Sequence, residues 1–478
     1  MGDNPDSVSG AARKFERILF LTGHLAEPRL RRILTEMEPL PFAATIRDLG
    51  IQVAGLMTTD LIRRRLTAAE ISADLVLVPG RCRGDLTALG QEFGVEFRRG
   101  PDDVGDLPQY FRMAGRDQSP FDSRDSCRIF AEITNAPQLS VAEILAKATG
   151  FIQDGAQVID LGCLPESPFP HLGEAVQSLK QAGFQVSVDS ASVTELRVGA
   201  AAGCDYLLSL NETRLELAFE SAAIPVLIPN SEEEPESLYR AAEILTRANR
   251  PFIADPILAP IGFGFAKSLE RYGECRKRLP EARILMGIGN LTELTDADSS
   301  GVTAMLFGII AELAITEVLT VQDSPHCRRA IAEAAAARQL CFAAVEEQRL
   351  PQQLLSPLLT VRDRNPFATS ATEIAATVAG VRDSNFRIEV AEDGIHLYNR
   401  DGHWIETRAE NFAPILSDRV ETSHGFYLGG ELTRAEIAFQ LGKRFNQDEE
   451  LDWGIATVRR RENLLAHKAS GKTKPKPS

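Results

Sequence analysis

The chain is poor in several things, and each shortage removes a class of function. Its 478 residues hold only seven cysteines, and no two stand in a C-x-x-C pair. A disulfide framework and a clustered zinc site are both excluded on that ground. Tryptophan occurs twice, and aromatic residues make up 6% of the chain. Basic residues are outnumbered, 52 against 67 acidic, which leaves a formal charge of −15. A duplex nucleic acid partner needs a basic face to displace counterions, so none is expected. Long apolar runs are missing too. The longest, Val302 to Ile315, is broken by Glu312 and is too short to span a bilayer. Met1 to Gly10 is polar and acidic and does not read as a signal peptide, so no membrane role and a cytoplasmic location are expected.

What is present is an ordinary globular composition, 25% charged and 44% apolar, at a length that suggests about three domains. Residues 15–115 begin with the apolar run Ile18 to Leu21, followed by a helical pattern from Pro28 to Met37. The runs Gln52 to Leu56 and Asp74 to Gly80 follow. Short buried strands between helical segments predict a small parallel-sheet α/β domain of Rossmann-like type. No G-x-G-x-x-G follows its first strand, so a dinucleotide site has no support. His24, Arg81 and Arg83 fall just past strand ends, where ligands often bind, although solvated loop residues would look the same.

A polar, turn-rich stretch over 116–126 suits a linker. Residues 127–330 then repeat one unit. Eight short apolar runs are predicted as strands, at 128–133, 157–162, 184–189, 205–210, 224–228, 251–254, 283–287 and 316–321, with helical patterns such as 141–153, 172–182 and 193–202 between them. Eight βα units in about 200 residues predict a TIM (β/α)8 barrel near its lower size limit, with a doubly wound sheet as the structural alternative. Residues 370–466 predict an α+β domain. It holds a hairpin of Phe386–Val390 and Ile395–Tyr398, then a helix over Leu432–Phe445 with Thr433 as N-cap and Glu436 at the capping-box spacing. The basic, proline-containing end, 467–478, is expected to be disordered.

In such barrels the active site forms at the C-terminal strand ends. Reading those positions gives Asn135, Asp160, Asp189, Asn211, Asn230, Asp255, Asn290 and Gln322. A ring of acids and amides without a cation suits a flat heterocycle that offers N–H donors and carbonyl acceptors, because a carboxylate accepts two parallel N–H bonds. Asp and Asn after a strand also cap the following helix, and at any one position that reading competes evenly. His171 could face the barrel mouth and His424 a ligand or partner, although both read more simply as surface groups; Ser187 and Ser190 flank Asp189 without a Ser-His-Asp arrangement, and Glu232 to Glu234 reads as a solvated loop.

The order Phe130-Ala131-Glu132-Ile133-Thr134-Asn135, Val158-Ile159-Asp160-Leu161-Gly162, Val186-Ser187-Val188-Asp189-Ser190, Asp205 to Asn211 and Asp255-Pro256 resembles dihydropteroate synthase and related pterin-binding barrels. The three-part layout, with Gly425 to Glu431 and Gln447 to Glu449, resembles the branch associated with tetrahydromethanopterin biosynthesis. The resemblance implies a transferase that joins a dihydropterin-methyl pyrophosphate to an arylamine, for instance a ribofuranosylaminobenzene phosphate. Asp189, Asn211, Asp255 and Asn290 are implied for the pterin, Asp160 and Asp189 for catalysis, and Asn135 for pyrophosphate with Mg²⁺. A homodimer is among the assemblies the resemblance implies. The family's seventh strand leads into Ser-Arg-Lys and its eighth ends in Arg-x-His, whereas here Gly287 to Glu293 and Thr320 to Asp323 hold neither. Arg81, Arg83, Lys267 and His326 are the candidate replacements. The alternative reading is a pterin-binding barrel without synthase activity, such as a methyl-pterin methyltransferase partner or a non-catalytic subunit.

Overall fold

A computed structural model describes residues 15–114, 126–164, 167–352, 357–417 and 419–458. The predicted tail over 467–478 lies outside these residues, as does all of the predicted linker except Ser126. The described residues divide into two compact units, one within 126–361 with 453–458 and one within 15–114 with 362–452.

The first of these is a closed barrel of eight parallel strands, each followed by helical structure, and the doubly wound alternative is excluded by the closure. Its strands are β5 (Arg128–Ile133), β6 (Val158–Gly162), β7 (Gln185–Asp189), β8 (Tyr206–Leu210), β9 (Ile224–Leu227), β10 (Ile253–Ala254), β11 (Arg283–Gly287) and β12 (Glu317–Val321). Each lies within a few residues of its predicted run. The period-two alternation of a strand sorts the side chains into two layers. Outward residues such as Ile129, Ala131, Ile133, Ile159, Leu161, Val186 and Val188 pack with the helices in one large core. Inward residues Phe130, Val158, Tyr206, Leu208, Val226, Ile253 and Leu285 form a separate apolar plug inside the barrel. Arg283, paired with the buried Glu317, and Arg128, donating to the Tyr206 hydroxyl at 2.7 Å, close its N-terminal end. The next inward positions towards the C-terminal mouth are therefore Glu132, Asp160 and Asp189.

The other unit holds two sheets. β1 (Arg17–Thr22), β2 (Ala43–Asp48), β3 (Leu75–Val78) and β4 (Glu96–Arg99) form a parallel sheet in the order β2-β1-β3-β4. The strand predicted at Gln52–Leu56 is not one. That stretch is a 3-10 turn with Leu56 73% exposed, and β2 lies earlier, along Ala43–Asp48. This edge strand is only half-buried, so it lacks the apolar run by which β1 and β3 announce themselves. β13 (Arg387–Ala391), β14 (Gly394–Asn399) and β15 (Gly402–Glu406) form an antiparallel meander. The helix against it runs over Thr422–Leu441, ten residues ahead of the predicted start. Thr433 lies inside it and donates to the Gly429 carbonyl at 2.8 Å, while Glu436 accepts from the Ala409 N–H at 2.7 Å. The i, i+3 spacing of a capping box also occurs within helices. Here Leu428 and Leu432, buried on one face against the meander, carry the helix through Gly425, Gly429 and Gly430.

Candidate functional site

The barrel's C-terminal mouth opens on a cavity of about 320 Å³ whose lining includes Glu132, Cys163, Asp189, Ser209 and Arg214. That is the size range of a small-molecule site. Asp189 ends β7, and its Oδ1 accepts from the Ser209 hydroxyl at 2.6 Å. Ser209 itself takes a left-handed backbone, φ 60°, where the β8–β9 pairing slips register. Glu132 projects inward from β5 and lies over Gly162, where a Cβ would stand 2.7 Å from its Oε1. Asp160 is paired in register with Glu132 and Ser187 on the neighbouring strands and is fully buried. Its Oδ1 accepts from the Ser187 hydroxyl at 2.5 Å, and its Oδ2 has no hydrogen-bond partner among the described residues. Across the barrel, Asp255 Oδ1 accepts from the buried Tyr272 hydroxyl and from the Ile257 N–H, both at 2.8 Å.

Four buried carboxylates around one barrel mouth, two of them lining the cavity, cannot all ionise cheaply, since burial disfavours charge and like charges repel. Burial comes first for each. Glu132 is pushed up to about 7 by burial and then by Asp189, Asp323 and Glu293. Asp160 is driven well above the usual carboxylate range by burial and then by Asp189 and Glu132, against the Ser187 hydrogen bond. Burial also raises Asp189, with the Ser209 hydroxyl opposing it. Asp255 rises to about 6 through burial, opposed by its bonds from Ile257 and Tyr272. Burial thus keeps part of this acid layer protonated at neutral pH. A ligand that offers N–H pairs supplies what it lacks.

The remaining predicted residues take other places. Asn211 turns inward on its own chain, its Oδ1 accepting from the Thr213 N–H (3.2 Å) and hydroxyl (2.7 Å), so that it caps the 3-10 segment Glu212–Arg214. The exposed Asn290 donates its amide to the Leu258 carbonyl at 2.7 Å. Asn135 Oδ1 accepts from Lys147 Nζ at 3.4 Å. Asn230 Nδ2 donates to Glu234 at 3.2 Å, and Gln322 Oε1 accepts from the Ile331 N–H at 3.4 Å. Lys267 is exposed on the helix Phe265–Arg278, a His326 ring nitrogen contacts the Thr292 carbonyl at 3.1 Å, and a His171 ring nitrogen contacts that of Leu139 at 2.7 Å. Arg81 and Arg83 belong to the other unit, where Arg81 pairs with Glu449 at 3.2 Å.

Three groups at the mouth are not among the residues expected from the sequence. Glu132 stands one residue before the end of its strand and not past it, although Phe130 and Glu132 share the inward phase. Lys147 and Arg214 lie beyond their strands, and only barrel closure brings them to the mouth. Lys147 stands 3.5 Å from Asp323. Asp323 also accepts from the Thr134 hydroxyl, and Glu293 accepts from the Asp323 and Ser324 N–H groups, both at 2.9 Å. The ends of the seventh and eighth barrel strands are therefore acidic. One amide oxygen that already faces an ammonium is a poor donor set for Mg²⁺. Among the described residues, one group of three His, Cys, Asp or Glu side chains brings its ligand atoms within 4.8 Å of one another, and it is His24, Glu27 and Asp48 in the other unit.

Among the described residues no helix is long and apolar enough to cross a membrane. Comparison with known proteins matches residues 16–102 to a family of unknown function, DUF6513. An uncharacterized protein of Methanocaldococcus jannaschii is 24% identical, over 92% of this chain and 99% of its own length. Among solved structures, the dihydropteroate synthase of Yersinia pestis with a pterin-sulfa conjugate matches at 17% identity and a TM-score of 0.37, over 46% of this chain and 94% of that one. The Burkholderia cenocepacia synthase complexed with 7,8-dihydropteroate matches at 16% identity and a TM-score of 0.37, over 47% and 94%.

Proposed function

We propose that the barrel binds a reduced pterin and acts as a transferase of the dihydropteroate synthase type in the making of a folate- or methanopterin-like one-carbon carrier. The observation that carries this reading is the layer of inward acids at the mouth. Asp189 and Asp255 keep some exposed surface, while Asp160 beneath them is closed off with an unpartnered oxygen. A 2-amino-4-oxo ring has an edge of adjacent N–H donors that fits a carboxylate in the two-point manner. In the transfer the arylamine nitrogen would bond to the pterin methylene carbon as its C–O bond breaks. Pyrophosphate would leave with the electron pair, and the amine would release one proton to solvent. Positive charge that develops on the pterin–methylene system meets Asp189 and Glu132, which are fixed before the reaction and need no reorganisation.

A specific observation favours the second reading, a pterin-binding barrel without this chemistry. Glu293 and Asp323 occupy the region where the resembled family places phosphate-binding cations. One assay separates the two. Purified protein is given dihydropterin-methyl pyrophosphate, Mg²⁺ and either 4-aminobenzoate or its ribosyl phosphate derivative. The synthase reading expects amine-dependent pyrophosphate release with one of the amines. Pterin binding without release from either amine would leave the binding reading alone.

A further inference from the structure

The acidic rim at β11 and β12 poses the question of where an anionic group on the ligand would go. Arg214 lines the cavity from the segment that follows β8, and its guanidinium makes no hydrogen bond or ion pair among the described residues. Its acidic neighbour Glu212 does not neutralise it, because Arg240 already holds that carboxylate through contacts at 2.7 and 2.9 Å. The Asn211 cap fixes the short segment that carries Arg214. In the closed order β10-β11-β12-β5-β6-β7-β8-β9, β8 stands four strands from β12 in either direction, which is diametrically opposite. On the β12 side, the one ammonium of Lys147 faces Asp323, which Glu293 in turn holds through its backbone. An anion placed there meets the carboxylates of Asp323 and Glu293 as well as Lys147.

We propose that Arg214 anchors the anionic arm of the ligand, so that the substrate is a flat, N–H-rich heterocycle with its phosphate-type arm directed towards β8 and not towards the eighth barrel strand. This rests on the pterin reading and adds a direction to it. A guanidinium grips phosphate oxygens in a fork, and one such charge-assisted contact is worth roughly a ten- to hundredfold change in affinity.

The test compares 6-hydroxymethyl-dihydropterin, which has no anion, with its pyrophosphate ester by calorimetry on the full chain. Arg214→Gln is expected to weaken the pyrophosphate form roughly ten- to hundredfold while changing the hydroxymethyl form less than about threefold. Arg214→Lys should recover part of the loss, and Lys147→Gln should leave both affinities near the wild-type values. If the wild type binds both forms and Arg214→Gln alters neither, or weakens both alike, the anchor is wrong and the pterin reading stands. The anchor is equally wrong if Lys147→Gln carries the loss, or if the wild type binds the hydroxymethyl form alone. If the wild type binds neither form, the pterin reading falls and takes the anchor with it.

Discussion

Asp255→Asn is expected to lower the affinity for a reduced pterin by about a hundredfold or more, and to remove the step near pH 6 from the pH dependence of what binding remains. The substitution keeps the shape of the side chain and an oxygen to accept from Tyr272 and Ile257. It removes the charge and turns an N–H donor towards the ligand's own donors. Removing one partner of a buried, hydrogen-bonded charged contact costs about 2–5 kcal/mol. In the wild-type protein the neutral ligand binds the ionised acid, so affinity depends on the fraction ionised. Burial pushes Asp255 up to about 6. The contribution of Asp255 should therefore fall about tenfold per pH unit below that value, beside a separate change from Glu132, which is pushed up to about 7. Calorimetric titrations between pH 4.5 and 8 check both points. Unchanged affinity in Asp255→Asn and in Asp189→Asn would remove the acid layer from ligand recognition altogether.

The fold was legible wherever burial on both faces of a strand writes a continuous apolar run, and that is why all eight barrel strands could be placed. It was illegible where one face is wet. β2 alternates between half-buried and exposed positions. A neighbouring apolar stretch that ends in the exposed Leu56 imitates it. The helix Thr422–Leu441 starts earlier than its local pattern suggests because glycines are poor helix formers, and packing against the meander overrides that preference. The site divides in the same way. Asp189 and Asp255 stand at or just past strand ends and are reached by counting along the chain. Glu132 needed the inward phase of β5, which Phe130 two residues earlier reveals. Asn211 and Asn290 look like ligand-facing amides in sequence, yet their side chains satisfy Thr213 and the Leu258 carbonyl. Arg214 carries no local signal at all. Its meaning comes from facing a cavity that five separated segments build.

The acid layer should also be visible in stability, with no ligand present. A buried carboxylate whose folded-state pKa exceeds its unfolded value opposes folding once it must ionise. The folded state then binds more protons than the unfolded one, so stability falls as pH rises through that window. For Glu132 the window runs from about 4.5 to about 7. Raising a pKa by one is equivalent to about 1.4 kcal/mol, and the neighbouring acids share the burden, so about 2–3 kcal/mol is the scale of the effect. Glu132→Gln keeps the size of the side chain and abolishes its titration. The variant should be more stable than wild type by about that amount at pH 8 and nearly equal to it at pH 4.5, as read from denaturant midpoints at the two pH values. It should bind pterin less well, because a carboxylate facing the ring's N–H donors is replaced by an amide. A pH-independent stability difference, or a less stable variant at pH 8, would mean that Glu132 is already satisfied by groups of the barrel itself. The expected pattern, stability gained as binding is lost, is the mark of a carboxylate held in place for a ligand and not for the fold.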